Sequence, residues 1–166
     1  KDTLSKTDQK NTSEEGFDGG VCIYYRSSHK LEFAGAKASI FQVQSDGATE
    51  TVGDRKSVGS TRMKEGFEFS THEINDPSGS FVMLTDGITD VMSPEERPIA
   101  FGRRRVLKLL QQATDRSPRY IVEKIMNNDD LYRGGAPFRD DLTLLAFSFN
   151  ESDSLEGETL AGEEQA

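Results

Sequence analysis

The chain has 166 residues, room for one domain and short for two, with 34% hydrophobic residues, 30% charged residues and a formal net charge of −9. That acidic balance argues against a nucleic-acid-binding surface, which shows a basic face. A single cysteine, Cys22, excludes an internal disulfide and suits a reducing compartment, and no run approaches the ~18 apolar residues of a membrane span.

Residues 1–15 hold one aliphatic residue, and residues 151–166 are acidic with almost no core formers. Both read as disordered flanks of a folded part, residues 16–150. Residues 19–26, GGVCIYYR, alternate, with Val21, Ile23 and Tyr25 on one face and Cys22 as a core residue. After the turn SSHK the alternation resumes over 31–36, which predicts a hairpin. Residues 39–44, SIFQVQ, predict a third strand ended by the turn signal SDGA, and 49–52 a fourth. Residues 66–74 and 80–85 predict a second hairpin across the turn signal NDPSG.

After Asp90 the period changes. Residues 100–112 place Phe101, Val106, Leu109 and Leu110 at helical spacings, and the run Arg103-Arg104-Arg105 on that helix reads as a solvated face. Residues 117–128 predict a second helix, with Ser117 as N-cap and Pro118 at its first position. Residues 128–139 read as a loop that contains Asp129, Asp130, Gly134 and Gly135. Residues 140–149 predict a closing strand. Leu142, Leu144, Ala146 and Ser148 face one way, and Thr143, Leu145, Phe147 and Phe149 the other. Both faces are largely apolar, so the strand is expected inside a sheet. Strands followed by helices and a last strand make the class α+β, antiparallel sheets with packed helices.

The chemistry rests on carboxylates. Asp86 ends one predicted strand, and Asp140 and Asp141 open another. If those strands are antiparallel neighbours, the acids meet at one edge of the sheet. Like charges so placed call for a neutralising cation, and Mg²⁺ or Mn²⁺ prefers oxygen ligands. Two such ions can activate a water and stabilise a phosphoryl group. The plain alternative is that Asp-Gly is a turn and Asp before a strand is ordinary. Residue types alone leave both readings open. Asp90 reads as a helix cap or a group behind a ligand. His29 and His72 have no partner motif, and there is no phosphate-binding glycine loop or zinc ligand set.

Five segments occur in order: EGFDGGVCIYY, LEFAGAKASIFQVQ, GDRKSVG, FVMLTDGITD and FRDDLTLLAFSF. No one of them is specific, but the ordered set, from about Gly16 to Phe149, resembles the C-terminal half of the SpoIIE-type phosphatases. These are a bacterial branch of the PPM class of metal-dependent serine/threonine protein phosphatases. The resemblance implies an αββα sandwich with a binuclear Mg²⁺/Mn²⁺ site between two sheets. It also implies that a metal-bridging water attacks the phosphorus of phosphoserine or phosphothreonine directly. Carried over by position, Asp86 and Asp140 are metal ligands. Asp141 stands where many relatives have Asn and is a supporting group, Gly87 permits the turn after the ligand, and Asp18 falls near an acidic position of the family.

The Gly-Asp and Asp-Gly-x-Gly motifs of the family's first half do not occur before Gly16. The chain is therefore expected to be the C-terminal part of such a domain, marginally stable and poorly active alone. The face meant for the other half would be exposed, or covered by a second copy in a homodimer. The expected substrate is a phosphorylated anti-anti-sigma-type protein of the STAS class in a bacterial partner-switching circuit. The setting would be the cytoplasm, or the cytoplasmic part of a larger membrane-bound sensor. The competing expectations are a catalytically degenerate module of this fold that binds a regulatory partner, and an unrelated α+β domain whose acidic turns are structural.

Overall fold

Side chains that alternate between core and solvent build seven strands into two sheets among the described residues. The structure is a computed structural model that describes residues 16–60 and 66–149; the two predicted flanks, 1–15 and 151–166, lie outside the described residues. Strands β1 (Gly19–Tyr25) and β2 (Lys30–Ala36) form the expected antiparallel hairpin, with Cys22 opposite Phe33 and Ile23 opposite Glu32. His29 turns the chain between them with a left-handed φ of 46°. Strands β3 (Ser39–Gln44) and β4 (Gly47–Val52) form the next hairpin, closed by Gln44 opposite Gly47.

The predicted second hairpin does not form. Strand β5, Thr71–Asn75 and shorter than the predicted 66–74, pairs with β2. Strand β6, Ser80–Leu84, pairs with β3. The result is a three-stranded sheet in the order β1-β2-β5 and a four-stranded sheet in the order β4-β3-β6-β7. The NDPSG segment does reverse the chain, through left-handed Asp76 (φ 46°) and Gly79 (φ 76°). The Asp76 amide donates to the His29 carbonyl at 2.8 Å, which ties the turn to the first sheet. A turn signal specifies reversal, not which sheet receives the next strand. The other crossing is at Lys37, also left-handed at φ 50°, whose amide donates to the Asp54 carbonyl at 2.7 Å.

Between the sheets lie buried Leu31, Phe33, Ile40 and Phe81, joined by Cys22, Tyr24, Ile74, Met83, Phe147 and Phe149. Cys22 is half-buried, its Sγ 3.6 Å from Met83 Sδ, and burial pushes its thiol up to about 11. It is the core residue expected from the strand pattern. The other face of the four-stranded sheet presents Phe41, Val43 and Val82 to two helices. These are α2 (Gly102–Gln111), which brings Val106 and Leu110, and α3 (Pro118–Arg133), which brings Ile121 and Ile125. The Ser117 hydroxyl caps α3 by accepting from the Tyr120 amide at 3.4 Å, with Pro118 at the first position. Ahead of them a short helix, α1 (Asp86–Thr89), follows β6.

Three further expectations change. Helix α3 runs on through Arg133 and ends on left-handed Gly134 (φ 60°), so Asp129 and Asp130 are helical and not in a loop. Tyr132, packed against the core, extends the helix's apolar stripe by another turn. The last strand, β7 (Leu144–Ser148), is shorter than 140–149 and is the edge of its sheet among the described residues, with Leu145 52% exposed. Its two predicted faces hold: Leu144 and Ala146 meet the helix-side core, and Phe147 the inter-sheet core. The arginine run is only partly solvated. Arg103 donates to Ser39 Oγ at 3.0 Å, and Arg105 donates to the Ala100 and Phe101 carbonyls at 2.9 Å.

On the outer face of β1-β2-β5 the apolar set Val21, Ile23 and Tyr25 is 61%, 49% and 39% exposed. Two stacked antiparallel sheets with helices on one side make up a large part of the expected sandwich. Among the described residues no helix is long and apolar enough to cross a membrane.

Candidate functional site

Pairing of β6 with β7 decides where the acids go. The strands are antiparallel with Leu84 opposite Leu144, so the C-terminal end of one meets the N-terminal start of the other. Thr85 carries the ladder one step further. Its amide donates to the Thr143 carbonyl at 3.0 Å, and its Oγ1 accepts from the Thr143 amide at 2.9 Å. The Thr85 hydroxyl also donates to the Asp141 carbonyl at 3.3 Å. Asp86 then opens α1, directly beside the segment that carries Asp140 and Asp141.

Gly87 makes this contact possible through closeness, not through a special backbone angle. It is buried in α1, and a Cβ there would overlap the Asp141 carbonyl oxygen and lie 2.9 Å from its carbon and 3.3 Å from Leu142 Cα. All three are backbone atoms, which cannot swing aside. Gly87→Ala should gain up to about 1 kcal/mol of helix propensity but lose more to this overlap, for a net cost of about 1–3 kcal/mol. Urea denaturation of the wild type and variant measures the difference, and a neutral or stabilised variant would refute the close-packing account.

Asp86 is exposed and lines a cavity of about 200 Å³ with Lys37, Ser39, Thr85, Thr89 and Arg103. Asp140, also exposed, lines a second cavity of about 260 Å³ with Gly87, Asp90, Glu95 and Arg133. The Asp140 carboxylate accepts from the Asp141 amide at 2.8 Å, which orients it. Among the described residues neither Asp86 nor Asp140 has a cationic partner within ion-pair distance. Asp90 closes α1 as its C-cap, its amide donating to the Asp86 carbonyl at 2.7 Å. Among the described residues Asp18 reaches this region through Lys37, at 3.3 Å.

Exposed, unpaired carboxylates at one sheet end are a hard, oxygen-only donor set, which suits Mg²⁺ or Mn²⁺ rather than a thiolate- or imidazole-seeking metal. The set fits part of such a site. Among the described residues no group of three or more His, Cys, Asp or Glu is placed to hold a metal.

Sequence reading missed Arg133 and Asp129. Asp129 is fully buried, neither carboxylate oxygen has a hydrogen-bond partner, and Arg133 Nε lies 3.9 Å away. The i,i+4 spacing of Asp and Arg was the available signal, hidden because the helix was expected to stop at Asn128.

Comparison with known proteins places this geometry. Residues 2–150 match the family model described as Stage II sporulation protein E (SpoIIE). Among solved structures the chain is similar to the SiaA-PP2C domain of Pseudomonas aeruginosa, at 30% identity and a TM-score of 0.67, covering 80% of this chain and 52% of that one. It is also similar to the phosphatase domain of the cell fate determinant SpoIIE from Bacillus subtilis, Mn presoaked, at 14% identity and a TM-score of 0.59, covering 81% and 57%. The second likeness is one of fold alone. No curated protein sequence matches at a significant level. The chain spans about half the length of these solved structures. With all of its described residues inside the matched segment, the chain belongs to the SpoIIE family and carries part of a PP2C-type phosphatase fold.

Proposed function

We propose that this chain is the C-terminal part of a metal-dependent protein phosphatase that hydrolyses phosphoserine or phosphothreonine on a bacterial signalling protein. The observation that carries the reading is the β6–β7 pairing, sealed by Gly87 against Asp141, which sets Asp86 and Asp140 at one sheet end, without cationic partners among the described residues. In this reading Asp86 and Asp140 hold Mg²⁺ or Mn²⁺, two ions in a complete site. When bound, the metal supplies Lewis acidity that activates water and offsets charge on the phosphoryl group.

The chain's own residues do the rest. Thr85 and Gly87 lock the two acidic segments together, so the ligands are held in place before the ion arrives. Asp141 supports Asp140 through its amide. Lys37 and Arg103 line the cavity of Asp86 and offer positive charge to an approaching phosphate. By analogy with the family, the proposed substrate is a phosphorylated STAS-class protein and the proposed site of action is the cytoplasm. The missing ligands would come from the remaining half of the domain.

The test is Mn²⁺-dependent release of phosphate from a Ser/Thr-phosphorylated protein by the intact protein, with chelator as control. Release that stops on chelation is expected. A second reading, a degenerate module that binds a partner without chemistry, is favoured by the lack of a cluster of three metal-binding side chains among the described residues. Absence of metal-dependent release from the intact protein would favour it over the first.

A further inference from the structure

Asp140 lies within a segment with no regular structure, residues 134–143, between α3 and β7. A ligand delivered by such a segment is only as well placed as the segment is held. One end is anchored by the contacts of Thr85 and Gly87 with Asp141. The other leaves α3 through left-handed Gly134 and Gly135, at φ 60° and 83°, which turn it sharply back on the helix end.

Arg133, the last residue of α3, grips what comes back. Its Nη1 donates to the Ala136 carbonyl, and its guanidinium lies over the Phe138 ring, 4.2 Å from the centroid. Its Nε donates to Asp130 at 3.1 Å, and its Nη2 contacts the same carboxylate. Within ion-pair range is Asp129, fully buried and with no other partner among the described residues, so the guanidinium is drawn inward; the Arg133 side chain is only 18% exposed. Burial raises the Asp129 carboxyl above its ordinary range, and Arg133 opposes that rise. Arg133 therefore joins two acids of the helix to two residues of the segment, and it lines the same cavity as Phe138, Arg139 and Asp140.

We propose that Arg133 is a positioning residue for the metal site: by clamping residues 136–138 onto the end of α3 it sets the conformation in which Asp140 meets the ion. The inference rests on the reading of Asp140 as a ligand. Groups that orient a metal ligand without touching the metal typically change affinity by about 10–100-fold. A planar, forked guanidinium can make the carbonyl, carboxylate and ring contacts at once, and an ammonium cannot.

The experiment measures Mn²⁺ affinity by calorimetry, and hydrogen exchange over residues 134–141, in the intact protein. Arg133→Gln is expected to weaken Mn²⁺ binding about tenfold and to speed exchange in that segment. Because Arg133→Gln also strands the Asp129 carboxylate, the double variant Asp129→Asn/Arg133→Gln and the single variant Arg133→Lys accompany it. Both should recover thermal stability yet remain weak for Mn²⁺. Unchanged Mn²⁺ affinity in these two variants overturns the proposal and leaves Arg133 a purely structural partner of Asp129. Asp140→Asn separates the two levels. If it binds Mn²⁺ as the wild type does, the assignment of Asp140 falls and the proposal falls with it. If it weakens binding while the Arg133 variants do not, only the clamp is refuted.

Discussion

Asp86→Asn and Asp140→Asn, each made in the intact protein, are expected to lower Mn²⁺-dependent hydrolysis of p-nitrophenyl phosphate by about 10²–10⁴-fold, the equivalent of about 3–5 kcal/mol of transition-state stabilisation. Asparagine keeps the shape of the side chain and removes the charge that holds a hard cation. Neither carboxylate has a cationic partner among the described residues, and both are exposed. The fold should therefore lose almost nothing, and relief of repulsion between nearby acids should leave the thermal midpoint unchanged or slightly higher in metal-free buffer. Activity within about threefold of wild type in either variant, a small change on the same free-energy scale, would remove that residue from the ligand set. A large loss of stability would instead mean that the carboxylate is structural, as the turn reading of Asp-Gly holds.

Phe81→Ala should be the most damaging core substitution, at about 3–5 kcal/mol. Phe81 is fully buried between the sheets, with ring centroids 5.6 Å from Phe147 and 5.8 Å from Phe149. It sits on β6, the strand that pairs with both β3 and β7 and leads into Asp86. Truncation leaves a cavity beside the Phe147 ring on β7 and the Phe149 ring just after it, and rings held in a packed core collapse into it only in part. Urea denaturation followed by circular dichroism reads the effect as a lower midpoint. The phosphatase activity proposed for the intact protein should fall at temperatures where the wild type is still folded, and recover on cooling. A cost below about 1 kcal/mol, far under the range for a buried ring, would mean that the two sheets are not packed through this residue.

Residues whose role depends on near neighbours were legible in the sequence. The alternation of Val21, Ile23 and Tyr25 predicted β1, and the Ser117-Pro118 pair predicted the start of α3, because both signals act within a few residues. Strand ends drew attention to Asp86, Asp140 and Asp141, and the family resemblance implied Asp86 and Asp140 as the ligands. Their juxtaposition needed one further assumption, antiparallel pairing, which β6 and β7 satisfy. The role of Gly87 was half legible. A turn residue was expected, whereas the structure uses its missing side chain to let two backbones touch.

Local periodicity, turn chemistry and the ordered acidic motifs thus determined the class of fold and the candidate ligands from sequence alone. Tertiary structure alone decided that β5 and β6 part into different sheets, that β7 is an edge, and that Val21, Ile23 and Tyr25 face outward. It also decided that Arg133 joins a buried acid to the segment carrying Asp140. The physical reason is the same in each case. A strand's pattern says that one face will be buried, but which partner buries it is settled by residues tens of positions away, as Phe33 and Phe81 meet between sheets from distant parts of the chain.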